Sequence, residues 1–359
     1  MTLDSNALPI VHIVRRYGHV GGMESYVWNL THSLANNDVR VVVICEDIFN
    51  EPHPTIRVIQ VPKSNSKQRW KAMLNFRLHV SKTIEKHQFL FNTIIHSHER
   101  SLNHHVTTFH GPPLRYRWLS LLCSKRLRVW KYLEKQEITA KDTQIILPVS
   151  SVIRNQLVEK YPEILEKKII MAWPGVTGDE KISLPEMPKT EELKFLFVGK
   201  EWKRKNLKLA VKIVEFINKT HLSSLDIYGP DIKDIPKKFL ENNLLRFKGW
   251  TANIEWNNYH ALLHPAVHEP FGMVISEARF HGIPVICSTE CGATDIDFKG
   301  VTALHVKDDI YQWAGQAIAI CNDSSKRNSE ILWTWADLAN LHKTKIYPEA
   351  LSKIKETKR

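Results

Sequence analysis

Ala261-Leu262-Leu263, then His268-Glu269-Pro270-Phe271-Gly272-Met273-Val274-Ile275-Ser276-Glu277-Ala278, then Gly282-Ile283-Pro284-Val285-Ile286 form one continuous unit of this chain. A short apolar run reads as a buried strand, a Pro-Phe-Gly turn opens a helix, and a second apolar run is the next strand. Strand, helix and strand in this order make a parallel sheet covered by helices. Two carboxylates, Glu269 and Glu277, stand eight positions apart, one before the helix and one inside it. The first turn of a helix offers unpaired N–H groups and the positive end of its dipole to an anion. Carboxylates accept hydrogen bonds from hydroxyls. The combination suits a sugar joined to a diphosphate.

The same alternation runs outward in both directions. Upstream, Lys194 to Val198 is a strand ending in Gly199, Leu207 to Ile217 is helical, and Leu225 to Gly229 and Leu244 to Phe247 are strands. The first half repeats the theme. Pro9 to Val14 is an apolar strand, followed by a loop through Gly18, Gly21 and Gly22. Met23, Tyr26, Val27, Leu30, Leu34 and Ala35 then recur on one helical face. Val39 to Cys45, Phe91 to His96, Val106 to Phe109 and Ile145 to Val149 read as further strands, with Ser150-Ser151 capping a helix. Two β/α series predict an α/β protein of two parallel-sheet domains, 1–175 and 176–332, with a helical tail over 333–359. Ligands in such folds bind beyond the carboxyl ends of the strands.

The chain has 359 residues, 43% hydrophobic and 25% charged, enough for two ordinary folded domains. No apolar run approaches the ~20 residues that span a bilayer. The beginning, Met1 to Asn6, lacks the basic and apolar regions of a signal peptide. Five scattered cysteines do not form a disulfide framework, so a reducing cytoplasm is the expected compartment. The net charge of +12 sits in two places. Lys63 to Lys86 and Gly111 to Lys135 each carry seven Lys/Arg and one acid, so each is +6. The second holds Arg115, Arg117, Trp118, Lys125, Arg126 and Arg128. Cations among aromatics suit an anionic membrane surface or a phosphorylated acceptor. Nucleic acid is the rival partner, and two solvated helix faces are the plain alternative.

Two loops hold further candidates. Gly21-Gly22-Met23-Glu24 joins the first strand to the first helix, where glycines let a backbone approach a phosphate or serve only as a turn. Gly199-Lys200-Glu201-Trp202-Lys203-Arg204-Lys205-Asn206 puts four cations at a strand's carboxyl end, able to neutralise a diphosphate leaving group.

Taken in order, Gly21-Gly22, Thr107-Thr108-Phe109-His110-Gly111, Gly199 with Arg204-Lys205, Phe247-Lys248-Gly249-Trp250, and Glu269 to Glu277 resemble the retaining glycosyltransferases of family 4. The resemblance covers nearly the whole chain, and its style is that of bacterial lipopolysaccharide core enzymes. It implies the GT-B fold, two Rossmann-like domains facing across a cleft, with the C-terminal helix returning to the first. It implies a nucleotide-sugar donor, expected to be a UDP-sugar, with no metal. Glu277 would hold the ribose, Glu269 the donor sugar, and the backbone of Phe271, Gly272, Met273 and Val274 the sugar and phosphates. Lys205 with Arg204 would hold the diphosphate, joined by Lys200 and approached by Gly22. Gly249 and Trp250 would meet the base, and His110 would stand beside the reacting sugar. The family often has Lys-Gly where Lys205-Asn206 stands, and Arg where Lys200 stands. Lys cannot form the bidentate fork of Arg.

The acceptor is expected to be a glycan or glycolipid met in the first domain, with His98 as a contact or else a satisfied core histidine. The enzyme would then sit in the cytoplasm, peripheral to the inner membrane. Asp295-Ile296-Asp297 resembles the D-x-D of metal-dependent transferases of another fold and reads as a surface turn. His96, His98, His104 and His105 have no cysteine or acid at clear ligand spacing and only Glu99 beside them, so no metal is expected there. The alternatives are a sugar-nucleotide epimerase of similar architecture and a basic nucleic-acid-binding protein. The latter leaves the Glu269/Glu277 pair without a purpose.

Overall fold

The structure, a computed structural model, describes residues 9–87, 93–115, 124–176, 190–229, 231–251 and 253–357. The chain divides into two compact units, one of residues 1–175 with 333–359, the other of residues 176–332.

The strands of the first unit are β1 (Ile10–Ile13), β2 (Arg16–Tyr17), β3 (Val41–Cys45), β4 (Asp47–Ile48), β5 (Arg57–Gln60), β6 (Ile94–Ser97), β7 (Val106–Phe109), β8 (Ile145–Pro148) and β9 (Lys168–Ile169). Seven form one sheet in the order β5-β3-β1-β6-β7-β8-β9, and every neighbouring pair is parallel. β1, β3, β6, β7 and β8 are buried throughout, as strands of a parallel sheet between two helix layers should be. The strand order reverses direction between β1 and β6. Ligands in such sheets meet the loops at that point. His12 of β1 and His96 of β6 are register partners there.

The basic segments form the helices Arg69–Lys86 and Lys125–Thr139. Their cations are not one solvated set. Arg77 is buried, donates to Gln136 Oε1 at 2.6 Å and lies over the Tyr132 ring. Met73 and Phe76 belong to the core. Glu134, the single acid of the second segment, is fully buried. It accepts from Arg100 (3.0 Å), Lys160 (2.6 Å), the Tyr161 hydroxyl (2.8 Å) and the Leu114 amide (2.8 Å).

The tail returns to this unit. Thr334 and Asp337 form a capping box that starts helix Trp335–Leu341, which packs on helix Gly22–Asn36. A Cβ on Gly175 would meet the Trp335 nitrogen at 2.2 Å, so only glycine lets the two backbones cross. A π-helical turn, His342–Ile346, then leads into helix Tyr347–Thr357. That extra residue per turn directs both His342 and Tyr347 into the core, where each is fully buried.

The second unit has β10 (Leu193–Val198), β11 (Ser223–Tyr228), β12 (Leu245–Gly249), β13 (Ala261–His264), β14 (Val285–Ser288) and β15 (Val301–Leu304). They form a parallel sheet in the order β12-β11-β10-β13-β14-β15. Helix Leu207–Ile217 turns Leu207, Ala210, Val211, Ile213, Val214 and Ile217 onto it, which fixes the orientation of the loop before it. Here the direction reverses between β10 and β13, so the loops after Val198 and His264 are neighbours. The cysteines among the described residues, Cys45, Cys287, Cys291 and Cys321, are free and buried.

Candidate active site

The second unit brings its two motifs together at that reversal. Glu269 follows β13 and Lys205 follows β10. Lys205 Nζ lies 3.0 Å and Arg204 Nη1 3.1 Å from the same Glu269 oxygen, Oε2. His264 Nε2, from the end of β13, lies 3.2 Å from that oxygen. Glu269 is 7% exposed. Burial alone would raise its pKa, but the His264 hydrogen bond and the Lys205 and Arg204 charges outweigh it. The carboxyl is held well below the usual carboxylate range. Burial, then the charge of Lys205, pushes His264 down to about 4, so it is a neutral N–H donor.

Glycine and asparagine make this geometry possible. Gly199 has φ +147°, and a Cβ there would meet Lys205 Cδ at 2.1 Å, so the lysine side chain lies along a bare backbone. Gly272 caps helix Met273–Phe280 at φ +97°. Asn206 caps helix Leu207–Ile217 at φ 59°. Asparagine is among the few side chains that accept this left-handed conformation, which accounts for its standing where the family often has glycine. At the start of helix Met273–Phe280 the Ile275 amide bonds Gly272 O. Among the described residues the Met273 and Val274 amides have no acceptor, as the first turn of a helix leaves them. Phe271 is buried, and Glu277, one turn into the helix from Met273, is exposed.

Lys205 and Arg204 are not equivalent. Arg204 also grips Glu201 with two nitrogens (3.0 and 2.7 Å) and donates to His268 O at 2.8 Å, so it braces the loop that carries Glu269. Lys200 is exposed and has no ion pair among the described residues. Trp250 is 71% exposed beyond the end of β12, next to Gly249 at φ +69°.

In the first unit Gly21 caps helix Gly22–Asn36, and a Cβ on Gly22 would meet nothing within 4 Å, so its backbone is open to approach. Glu24 of the same loop is buried and pairs with Arg16. His110, just beyond β7, lines a cavity of 240 Å³ together with Met23, His98, Glu99 and Gly111. Burial pushes its pKa down to about 3, so the ring is neutral. Burial pushes the Glu99 carboxyl up to about 7 against the pull of Arg15. Glu99 and the neutral His110 ring thus line the same cavity.

His98 is buried, with both ring nitrogens taken: Nε2 is 3.0 Å from His12 Nδ1 and Nδ1 is 3.1 Å from His110 Nε2. It therefore stands behind His110 and has no nitrogen left for an acceptor. The imidazoles that gather are His12, His96 and His98, with ring nitrogens within 4.8 Å of one another. His104 instead bonds Glu137 O (3.0 Å), and His105 Nδ1 accepts from the Ile95 amide (3.1 Å).

Arg115, Lys125, Arg126 and Arg128 are exposed, while Arg117 and Trp118 lie outside the described residues. A second cavity, 630 Å³, is lined by Lys67, Arg69, Trp70, Arg126 and Trp130 among others. Both helices that border it begin with cations and no acid, which reinforces the positive helix ends. Among the described residues no helix is long and apolar enough to cross a membrane.

Comparison with known proteins agrees with this geometry. The Glycosyltransferase Family 4 model matches residues 20–179, and the Glycosyl transferases group 1 model matches residues 192–323. WaaG, described as a glycosyltransferase involved in lipopolysaccharide biosynthesis, superposes with a TM-score of 0.73 at 17% identity, over 97% of this chain and 99% of its own. Anabaena HepE, in complex with UDP and glucose, gives 0.59 at 14% identity, over 98% and 99%. The two parallel-sheet α/β units have the fold of the GT-B glycosyltransferases. Within that class, the chain belongs to glycosyltransferase family 4. A Klebsiella pneumoniae relative, an uncharacterized 41.2 kDa protein in the cps region, is 24% identical over 330 residues, 83% of this chain and 85% of its own.

Proposed function

We propose that the enzyme moves a hexose-like sugar from UDP to a hydroxyl of a growing anionic glycan, with retention of anomeric configuration and without a metal. The observation that carries the donor half is the convergence of Lys205, Arg204 and His264 on Glu269 beside two unpaired amides at a helix start. A diphosphate draws on Lys205 and the amides, a sugar on the Glu269 carboxylate, and a ribose on Glu277. The complex of Anabaena HepE with UDP and glucose supports a uridine donor.

In the reaction the acceptor hydroxyl attacks C1 from the face that the diphosphate leaves. The C1–O bond breaks, its electron pair departs with UDP, and the hydroxyl proton passes to the leaving phosphate oxygen. Lys205 and the helix amides meet the charge that develops there. His110 holds a hydroxyl of the sugar being transferred. No protein nucleophile is needed.

The likeness to WaaG and the cationic, tryptophan-lined cavity support an acceptor of the lipopolysaccharide-core type, reached at the cytoplasmic face of the inner membrane. Incubation with UDP-sugars and phosphorylated or dephosphorylated glycolipid tests this, with the product's anomeric configuration read by NMR. Retention, persistence in EDTA and preference for the phosphorylated acceptor are expected. An inverted product or loss of activity in EDTA overturns the mechanism. Unchanged binding to anionic vesicles after charge reversal of Lys125, Arg126 and Arg128 overturns the membrane assignment.

A further inference from the structure

Five side chains behind His110 form an unbroken hydrogen-bond chain, all within the first unit. Thr108 Oγ1 is 2.7 Å from His96 Nε2, and His96 Nδ1 is 3.1 Å from the Tyr347 hydroxyl. That hydroxyl is 3.2 Å from His12 Nε2, His12 Nδ1 is 3.0 Å from His98 Nε2, and His98 Nδ1 is 3.1 Å from His110 Nε2. Thr108, His96, Tyr347, His12 and His98 are all buried. Burial keeps the imidazoles neutral. A neutral imidazole has one donor and one acceptor nitrogen. A hydroxyl has one hydrogen to give. If His96 donates to Thr108, its other nitrogen must accept the Tyr347 hydrogen, and each later link then takes the same direction.

Tyr26 donates its hydroxyl hydrogen to the Ala172 carbonyl (3.2 Å), which can only accept, so toward the Thr108 hydroxyl the Tyr26 oxygen can only accept. A Thr108 that donates there accepts from His96 Nε2–H. His96 Nδ1 accepts from Tyr347, Tyr347 from His12 Nε2–H, His12 Nδ1 from His98 Nε2–H, and His98 Nδ1 from His110 Nε2–H. The remaining nitrogen of His110, Nδ1, is left with a bare lone pair.

We propose that Thr108 donates to Tyr26 and that the chain, pivoting on Tyr347, is thereby a positioning device that fixes His110 as the Nε2–H tautomer. His110 then accepts a hydrogen bond from a sugar hydroxyl in its cavity and does not donate one. The role in transfer rests on the reading of His110 given above; the tautomer does not. The same geometry accounts for the returning C-terminal segment: its π-helical turn delivers the one hydroxyl that joins His12 to His96.

The test uses the full chain with 15N-labelled histidine and no ligand. Long-range proton–nitrogen spectra should show His110 in the single Nε2–H form. Scalar couplings across N–H···N bonds should link His12 to His98 and His98 to His110. A His110 Nδ1–H form, absence of both couplings, or stoichiometric zinc held by His12, His96 and His98 overturns the proposal. In Tyr347→Phe the His110 signal should become a tautomer mixture. Transfer should fall roughly tenfold to a hundredfold, as when an outer partner of a functional histidine is lost, with affinity for UDP alone unchanged. An unchanged tautomer in that variant overturns the proposal. If Tyr347→Phe does not fold, the wild-type couplings decide. Normal transfer in His110→Ala removes His110 from the mechanism and leaves the chain standing.

Discussion

Lys205 Nζ and Glu269 Oε2 are 3.0 Å apart, although the two residues leave different strands and lie 64 positions apart in the chain. The lysine is 14% and the carboxylate 9% exposed at the side chain, so each compensates the other's burial. The pair is thus a preformed charge arrangement whose cation can turn to a diphosphate. Glu269→Gln should lower transfer by about 10²–10³, the usual consequence of losing one electrostatic group at a reacting centre. Near-normal turnover would take Glu269 out of the mechanism.

The same pair governs acid stability. The folded-state pKa of Glu269 is depressed, so its contribution to stability is present above the unfolded value near 4.3 and is lost as pH falls toward the folded one. Denaturation curves between about pH 5 and pH 2 should therefore be less steep in pH for Glu269→Gln than for the wild type. Parallel curves would show that the carboxylate is not held as described.

Glu137 behaves in the opposite sense. It is buried, accepts from Thr107 Oγ1 at 2.7 Å, and burial pushes its pKa up to about 8. A carboxyl raised on folding favours the native state below its unfolded pKa and loses that advantage as pH rises to the folded value. Glu137→Gln, which mimics the protonated form, should be more stable than wild type near pH 8. The gap should close toward pH 4. A gap that does not change with pH would contradict the assignment.

Glu134 gathers Arg100 and Lys160 into the interior. Removing it leaves two largely buried cations uncompensated. Glu134→Ala should cost roughly 3–5 kcal/mol in the first unit, the range for breaking a buried pair. Chemical denaturation followed through Trp130, on the same helix, measures it. A loss under about 1 kcal/mol, the scale of a surface pair, would mean that the carboxylate is solvated.

Gly199 is the structural partner of Lys205. Gly199→Ala combines a strained φ with a Cβ 2.1 Å from the lysine chain. The strain should cost on the order of 1–3 kcal/mol, and the displaced amine should weaken donor binding. Unchanged donor affinity would show that Lys205 does not need its bare backbone track.

Much of this was legible in the chain. Apolar runs such as Val41–Cys45 and the Ala261, Leu262 and Leu263 of β13 announce buried parallel strands because both faces meet helices. Short, half-exposed strands are harder to see: Arg57–Gln60 and Lys168–Ile169, at the two edges of the first sheet, carry no such signal. Glu269 and Lys205 stand in motifs that a reader can mark. His264 was missed because a histidine closing an apolar strand reads as core. Glu99 was visible beside His98, but its raised pKa comes from tertiary burial. The polar chain escaped for a different reason: Tyr347 meets His12 across 335 positions, a contact no local pattern records. The basic segments misled in part, since charge is visible in sequence while the burial of Arg77 and Glu134 is not.

The most direct measurement is calorimetric titration of UDP-sugars into the wild type and into Glu277→Ala. The wild type should bind a UDP-sugar, and its melting temperature should rise with ligand concentration. Glu277→Ala should bind at least tenfold more weakly, the factor set by about 1.4 kcal/mol, while keeping its fold. Equal affinity in the two proteins, or no nucleotide-sugar binding by the wild type, would contradict the placement of the donor at the helix between Glu269 and Glu277.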